Sequence, residues 1–388
     1  MKGFLSVKES IQHSVIVQFL EGQLSEQEAC ERLGLHRVSL WRKVQCYRQF
    51  GAEGLAHRLR GEPSNFAKDD ALKKAVLNLY RTEYGPYGYR VAHFYQEAHG
   101  RFPQSVSYPT ALRWLKQAGI VKQSRKGRKH RARRPRKEAF GEMVQMDTSI
   151  HNWLDWDKNI ALIGNIDDCT NRILDAHLQL TDTTLGNMLV MKRTMERYGL
   201  PEAFYVDRAP VFKVTRTGGP GRIHQPQYKT DYETQIQRAL EELGIEVIFA
   251  YSPQAKGRIE RNFGTWQSRL IPELRKEGIR EIPQANQYIQ DIYIPKTNDR
   301  FAQDPKGVRN VFVPLLGVDL NYILAECYQF RVSNDHILSS KRARILLKIL
   351  PDEYRQSYAR TKVDVYKHVD GSISVMYQGR HLNYDRAN

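Results

Sequence analysis

No apolar run in the 388 residues approaches the roughly 20 needed to cross a bilayer. The opening MKGFLSVKESIQHS also lacks the apolar core of a signal peptide. An intracellular, cytoplasmic chain is the expectation. Cysteine is scarce: Cys30, Cys46, Cys169 and Cys327 lie far apart, with neither CxxC nor Cys/His ligand spacing. That argues against a zinc site and a disulfide framework and leaves buried free thiols. Acid is short relative to base, since 60 Lys+Arg against 43 Asp+Glu leave a net +17. Such an excess fits a polyanionic partner, because neutralised phosphates release condensed counterions. A membrane surface would instead require a basic amphipathic helix with an apolar face, and none is evident. Nucleic acid is the expected partner, and the length allows two to four domains.

The first sixty residues read as helical. Ser25 and Glu28 form a capping-box pattern opening SEQEACERL, Gly34 supplies a turn, and HRVSLWRKVQCYRQF follows as a second helix. Ala29, Leu33, Val38, Trp41 and Val44 are expected to share one small core. Two short helices joined at a Gly turn suit a helix-turn-helix, which would offer Arg37, Ser39, Arg42 and Lys43 to a major groove. A plain helical hairpin fits the same pattern. A similar unit follows, with a helix over 69–82, YGPYGYR at 84–90, a helix near 89–98 and SYPTALRWLKQAGI at 107–120. There Ser107 can cap, Pro109 sits in the first turn, Leu112 and Leu115 turn inward, and Arg113 and Lys116 turn outward. The segment 121–138, VKQSRKGRKHRARRPRKE, then holds ten Lys/Arg and one acid. It has almost nothing to bury and suits a phosphate-contacting linker, with Arg125, Lys126, Arg128, Lys129, Arg133 and Arg134 as contacts.

From 139 the pattern changes. EMVQMDTSI, NIALIGNIDD and RILDAHLQL read as strands and LGNMLVMKRTMERYG as an amphipathic helix. AFYVD, YETQIQRALEELG and EVIFAYS continue as strand, helix and strand, which predicts an α/β layer fold around a mixed sheet. The tail alternates over 361–384 around Asp370-Gly371, a hairpin signal, so a small β-domain is expected from about 325.

Three acids stand out in the α/β region. Asp147 ends VQMD, Asp207 ends FYVD, and Glu260 lies early in the helix begun by SPQAKGRIERNFG. Strand ends at one sheet edge converge, and a helix starting beside them can bring in a third acid. Gathered carboxylates repel unless a cation neutralises them, and oxygen-only ligation suits Mg²⁺ or Mn²⁺. Two such ions about 4 Å apart can activate a nucleophile and stabilise a leaving oxygen. Turn or cap roles at strand ends would also account for single aspartates.

MVQMD, NIDDCTNRILDAHL, YVDRAP and SPQAKGRIERNFG together are similar to the integrase core of DDE transposases and retroviral integrases. More narrowly, the chain resembles bacterial insertion-sequence transposases with tandem N-terminal helix-turn-helix units, over roughly residues 20–295. The resemblance implies a multidomain chain. Residues 1–62 and 63–120 would be helix-turn-helix domains, 121–138 a basic linker, 139–300 an RNase-H-like core and 325–388 a small mainly-β domain. It implies Asp147, Asp207 and Glu260 as the catalytic triad and metal ligands for Mg²⁺ or Mn²⁺, with two ions. It further implies double-stranded DNA as partner (element ends and target), a homo-oligomer assembled on that DNA, cleavage by water, and attack of the freed 3′-OH on target DNA. A DNA-binding regulator with a degenerate core, or a metal-dependent nuclease that does not join DNA, are the alternatives.

One departure is plain. The family often has about thirty-five residues between the second and third acids, and here 52 intervene. The excess falls in the Gly/Pro-rich basic segment 211–231, which reads as an inserted loop; its Lys213, Arg216, Arg222 and Lys229 favour DNA or partner contact over a tolerated surface insertion. Asp231, Glu233, Asp167 and Asp168 are rival acids, the last two expected at a turn. Around Glu260, Lys256 shares its helix face and suits substrate phosphate, while Arg258 and Arg261 lie on other faces and suit backbone contacts or a subunit interface. A surface Lys256–Glu260 pair would contribute only about 0.3–0.5 kcal/mol, too little to explain the acid. The linker generates a direct expectation. Replacing Arg125, Lys126, Arg128, Lys129, Arg133 and Arg134 with Gln should weaken DNA binding at all sequences alike. In salt titrations the slope of log K against log salt should become shallower by about 0.9 for each phosphate that is no longer neutralised.

Overall fold

The computed structural model describes residues 5–57, 68–121, 135–213, 234–250, 257–305, 309–341 and 343–386. Two units, Met1–Lys74 and Ala75–Asn388, each hold together by their own contacts. In the first, α1 (Val7–Leu20), α2 (Glu26–Leu33) and α3 (Arg37–Phe50) surround Val15, Ile16, Leu24, Ala29, Leu40, Val44 and Leu55. Reciprocal capping boxes open α1 (Ser6 with Glu9) and α2 (Ser25 with Glu28). Gly34 ends α2 in the left-handed region, at φ 60°, and turns the chain into α3. The expected core needs correcting at two positions. Val38 is 62% exposed and Trp41 lies at the surface, its indole N–H donating to Glu26 at 2.9 Å. The reason is α1, whose Val15 and Ile16 select the Leu40/Val44 stripe of α3 instead.

α4 (Asp70–Leu79) runs across the boundary at Lys74 and leads, within the second unit, through a π-turn at Tyr80–Tyr84 to α5 (Val91–Ala98) and α6 (Tyr108–Gln117). Tyr80, Tyr84, Tyr89, Phe94, Ala111, Trp114 and Leu115 are buried among these helices. The mixed sheet comprises β1 (Val144–His151), β2 (Ile160–Asp167), β3 (Ile173–Gln179), β4 (Ala203–Val206) and β5 (Glu246–Phe249), in the order β3-β2-β1-β4-β5. β1, β2 and β3 form an antiparallel meander, and β4 and β5 add on in parallel. Alternation along β1 sends Val144 and Met146 to one face, where they pack with α7 (Thr184–Tyr198) and α8 (Gln235–Glu242). The opposite face carries α9 (Ile259–Lys276), whose Ile259, Phe263, Trp266, Leu270 and Leu274 form a 3.6-residue stripe against Leu162, Ile166 and Leu178. Each fully buried side chain of that stripe contributes about 1.5–3 kcal/mol.

Residues 326–386 form a four-stranded and a three-stranded sheet around Phe330, Leu338, Leu347, Tyr358, Val365 and Val375. Within them strands Lys362–Lys367 and Ile373–Tyr377 pair antiparallel across a turn in which Gly371 has φ 85° and Asp370 accepts the Ser372 N–H at 2.8 Å.

β3 is an edge strand, and unpaired strand edges template aggregation. Here α10 (Ile282–Tyr288), a π-turn at Ile289–Tyr293 and α11 (Ile294–Phe301) cover it. Asn286 accepts the Leu178 N–H at 2.7 Å and donates to its carbonyl at 2.8 Å. Asn298 does the same at Ile173, at 2.7 and 2.8 Å, and Gln290 donates to the Ala176 carbonyl at 2.7 Å. Three side-chain amides thus replace a missing strand. Asn286→Leu and Asn298→Leu should each cost about 1–3 kcal/mol by leaving strand groups unsatisfied. Denaturant melts should record the loss, and the double variant should aggregate faster by light scattering.

Candidate active site

The parallel pairing of β1 with β4 sets the geometry. Val144 lies opposite Phe204 and Gln145 opposite Tyr205. Asp147 follows two residues on within β1, on the face away from Met146, and Asp207 comes directly after Val206, the last residue of β4, so both acids stand just past this pairing. Both are half-buried. Asp147 accepts the N–H of Thr148 at 3.0 Å, and Asp207 accepts that of Ala209 at 2.8 Å in the turn that ends β4.

Glu260 is brought to this face by α9. The Ile259 N–H donates to the Gln145 side chain at 3.3 Å, and Gln267 donates to the Ser149 hydroxyl at 3.2 Å. Eight residues of helix therefore run alongside Gln145, Asp147 and Ser149, matching about 12 Å of helix rise to about 13 Å of strand. Glu260 shares a stripe with Gly264 and Gln267, and it is exposed in the first turn.

The start of α9 is fixed by Asp168. This buried carboxylate accepts from the guanidinium of Arg258, from the Gln145 amide and, at 2.9 Å, from the Lys137 N–H. Arg258, whose side chain is only 10% exposed, is thus an anchor for the helix, a correction to its expected place among DNA contacts. Asp167 is equally buried. It accepts from Gly141 at 3.0 Å and from both the N–H and hydroxyl of Thr170 at 2.7 Å; burial outweighs these bonds and pushes its carboxyl up. Both rival acids serve the turn after β2. Asp231 and Glu233 lie outside the described residues, as do Arg216, Arg222 and Lys229; Lys213 sits 5.0 Å from the Phe249 ring.

Among the described residues, one group of His, Cys and acid side chains brings three ligand atoms within 4.8 Å of one another: His93, Glu97 and Glu273. It lies where α5 docks on α9, and cations already occupy it. Lys296 is 2.9 Å from Glu97 and 3.3 Å from Glu273, and Arg300 is 2.7 Å from Glu97. Burial holds His93 below its usual range, and its imidazole meets Glu273 at 2.9 Å. That set suits an internal polar clamp better than a dication. Asp147, Asp207 and Glu260 stand further apart than 4.8 Å as a trio, yet they offer only carboxylate oxygen, the donor type that Mg²⁺ and Mn²⁺ prefer.

Of the other expected contacts, Arg37 and Arg42 are exposed on α3, with Arg37 paired to Glu26 at 2.7 Å. Ser39 is half-buried there, and Lys43 donates to Gln12 at 2.8 Å. Arg113 and Lys116 are exposed on α6 and line a shallow groove with Pro109, Leu112 and Gln117. Arg125, Lys126, Arg128, Lys129, Arg133, Arg134 and Lys256 lie outside the described residues. Among the described residues no helix is long and apolar enough to cross a membrane. Sequence reasoning missed Gln145, the anchor role of Asp168, and Gly164. Gly164 pairs with Asp147, and a Cβ there would stand 2.7 Å from the Trp266 ring. Gly164→Ala should push α9 off the sheet beside Asp147, costing about 1–3 kcal/mol by overpacking. A denaturant melt measures that cost, and DNA processing should fall more than stability alone explains.

No family model matches the chain. It is 30% identical to "Putative transposase y4bF" of Sinorhizobium fredii, over 95% of this chain and 79% of the relative. It is 27% identical to the transposase for insertion sequence IS1202 of Streptococcus pneumoniae, over 95% and 84%. Among solved structures, the magnesium-bound HTLV-2 integrase catalytic core (dimeric form) aligns with 43% of this chain and 93% of its own, at 13% identity and a TM-score of 0.31. The simian T-cell lymphotropic virus intasome, in complex with the PP2A regulatory subunit B56 gamma, aligns over 76% and 98%, at 12% identity and a TM-score of 0.34. The chain belongs to the insertion-sequence transposases.

Proposed function

We propose that this transposase binds the ends of its element and carries out metal-dependent strand cleavage and transfer at Asp147, Asp207 and Glu260. The observation that carries the reading is the parallel pairing of β1 with β4, which leads to Asp147 and Asp207 two residues past its last pair, with α9 bound along β1. The three carboxylates would hold Mg²⁺ or Mn²⁺, as a pair of ions in the full reaction. Bound there, the cations would neutralise the phosphate and polarise the attacking oxygen. The chain's own part is positioning. β1 and β4 fix two acids rigidly, while α9 presents Glu260 from its first turn, anchored by Arg258 on Asp168. First water and then the freed 3′-OH would attack the phosphate directly, so no covalent protein–DNA intermediate forms.

In this reading α2–α3 and α5–α6 are tandem helix-turn-helix units that contact element ends. Arg37 and Arg42 on the first and Arg113 and Lys116 on the second would be the exposed contacts. The basic linker would follow the phosphate backbone, residues 325–388 would act as a small accessory β-domain, and a homo-oligomer would bring two ends together. Purified protein with Mg²⁺ and DNA carrying the element's ends tests this. Asp147→Asn, Asp207→Asn and Glu260→Gln should each lower joined product by about 10³-fold or more while leaving end binding intact. Cleavage without joined product in the wild type would point to a nuclease, and binding with no cleavage to a regulator.

A further inference from the structure

An acid outside the expected triad stands beside it. Asp182 lies three residues beyond β3 and two before α7, in LTDTTLG. An aspartate there would ordinarily cap the helix, but Thr183 already does so, its hydroxyl accepting the Gly186 N–H at 3.1 Å. The carboxylate of Asp182 turns instead toward the sheet. Its Oδ1 accepts from the amide of fully buried Asn187 at 2.7 Å and from the hydroxyl of Thr148 at 3.3 Å. Thr148 also donates its N–H to Asp147 at 3.0 Å, so one residue of β1 joins the two acids.

Asp207 lies close enough for its charge to act on Asp182. β1, β3 and β4 run in one direction, so the chain leaves β3 and β4 at the same sheet edge. Burial pushes the Asp182 carboxyl up, the bonds from Asn187 and Thr148 hold it partly down, and the charge of Asp207 adds to the rise. A buried amide and a strand hydroxyl are thus committed to holding a second acid within reach of the charge on Asp207. The Oδ2 of Asp182 accepts no hydrogen bond among the described residues and stays open to a hydrated cation.

We propose that Asp182 is a positioning residue of the active site: tethered through Thr148, it fixes β1 beside Asp147, and its charge helps draw a divalent cation to Asp147 and Asp207. This rests on the reading of those two acids as cation ligands. The test is Mn²⁺ binding to the full chain without DNA, followed by electron paramagnetic resonance, alongside the Mg²⁺ midpoint for end cleavage and the melting temperature. Asp182→Asn should weaken Mn²⁺ binding about tenfold and raise the Mg²⁺ midpoint by a similar factor, at an unchanged melting temperature. Asp182→Glu should recover part of the loss. Wild-type Mn²⁺ affinity in Asp182→Asn, with binding abolished in Asp147→Asn, would overturn this inference alone. Wild-type affinity in Asp147→Asn would overturn the ligand reading as well. Should Asp182→Asn fail to fold, Thr148→Val keeps the charge and removes the tether. A severalfold higher Mg²⁺ midpoint then supports the proposal, and an unchanged one refutes it.

Discussion

The seating of α9 on the sheet is the constraint on which the rest depends. Its apolar stripe supplies the energy of attachment, but grease alone does not set a helix's position along a strand. Polar contacts do that here. Arg258 reaches buried Asp168, the Ile259 N–H reaches Gln145, and Gln267 reaches Ser149. The Arg258–Asp168 pair is almost fully buried, so removing one partner would strand a charge and cost several kcal/mol. A one-turn slip of α9 would break all three contacts together and carry Glu260 about 5.4 Å from its place beside β1.

The same helix takes load at its other end. Past Trp266, Arg269 donates to Gln96 at 2.5 Å, Glu273 meets His93 at 2.9 Å, and Lys276 lies 4.2 Å from the Tyr84 ring. The Tyr-rich turn 84–90 and α5 are therefore fastened to the element that carries Glu260. Most of these contacts involve charged groups, and acid would loosen them. Burial depresses His93, whereas hydrogen bonds and cations keep Glu97 and Glu273 low against their burial. A base with a lowered value and acids with lowered values all lose native-state stability as pH falls, beginning below about 6.5 for the imidazole and lower for the carboxylates.

Much of this was legible in the sequence. The strands around VQMD, LIGNID and FYVD and the helix in LGNMLVMKRTMERY fall where periodicity puts them, because one buried face leaves a clear imprint. Asp147 looked like the end of its strand, but β1 runs on to His151 and holds it in mid-strand, while Asp207 does follow the end of β4. What sequence could not show was set by contacts distant along the chain. Arg258 looked like a phosphate contact until Asp168, ninety residues away, claimed it. Val38 and Trp41 looked like core until α1 chose a different stripe of α3. Asp182 sits in the local pattern of a helix cap, and only Thr183's hydrogen bond shows that the cap is its neighbour. Gly164 carries no periodic signal, since its role is to leave room for Trp266.

The proposed function requires Asp147, Asp207 and Glu260 to form one cation site, despite their spread. Anomalous scattering from crystals soaked in Mn²⁺ tests that most directly. A peak is expected within about 2.0–2.2 Å of carboxylate oxygens of both Asp147 and Asp207, with Glu260 drawn toward it. A peak only at His93, Glu97 and Glu273, or bound Mn²⁺ that leaves Asp147 and Asp207 untouched, would contradict it.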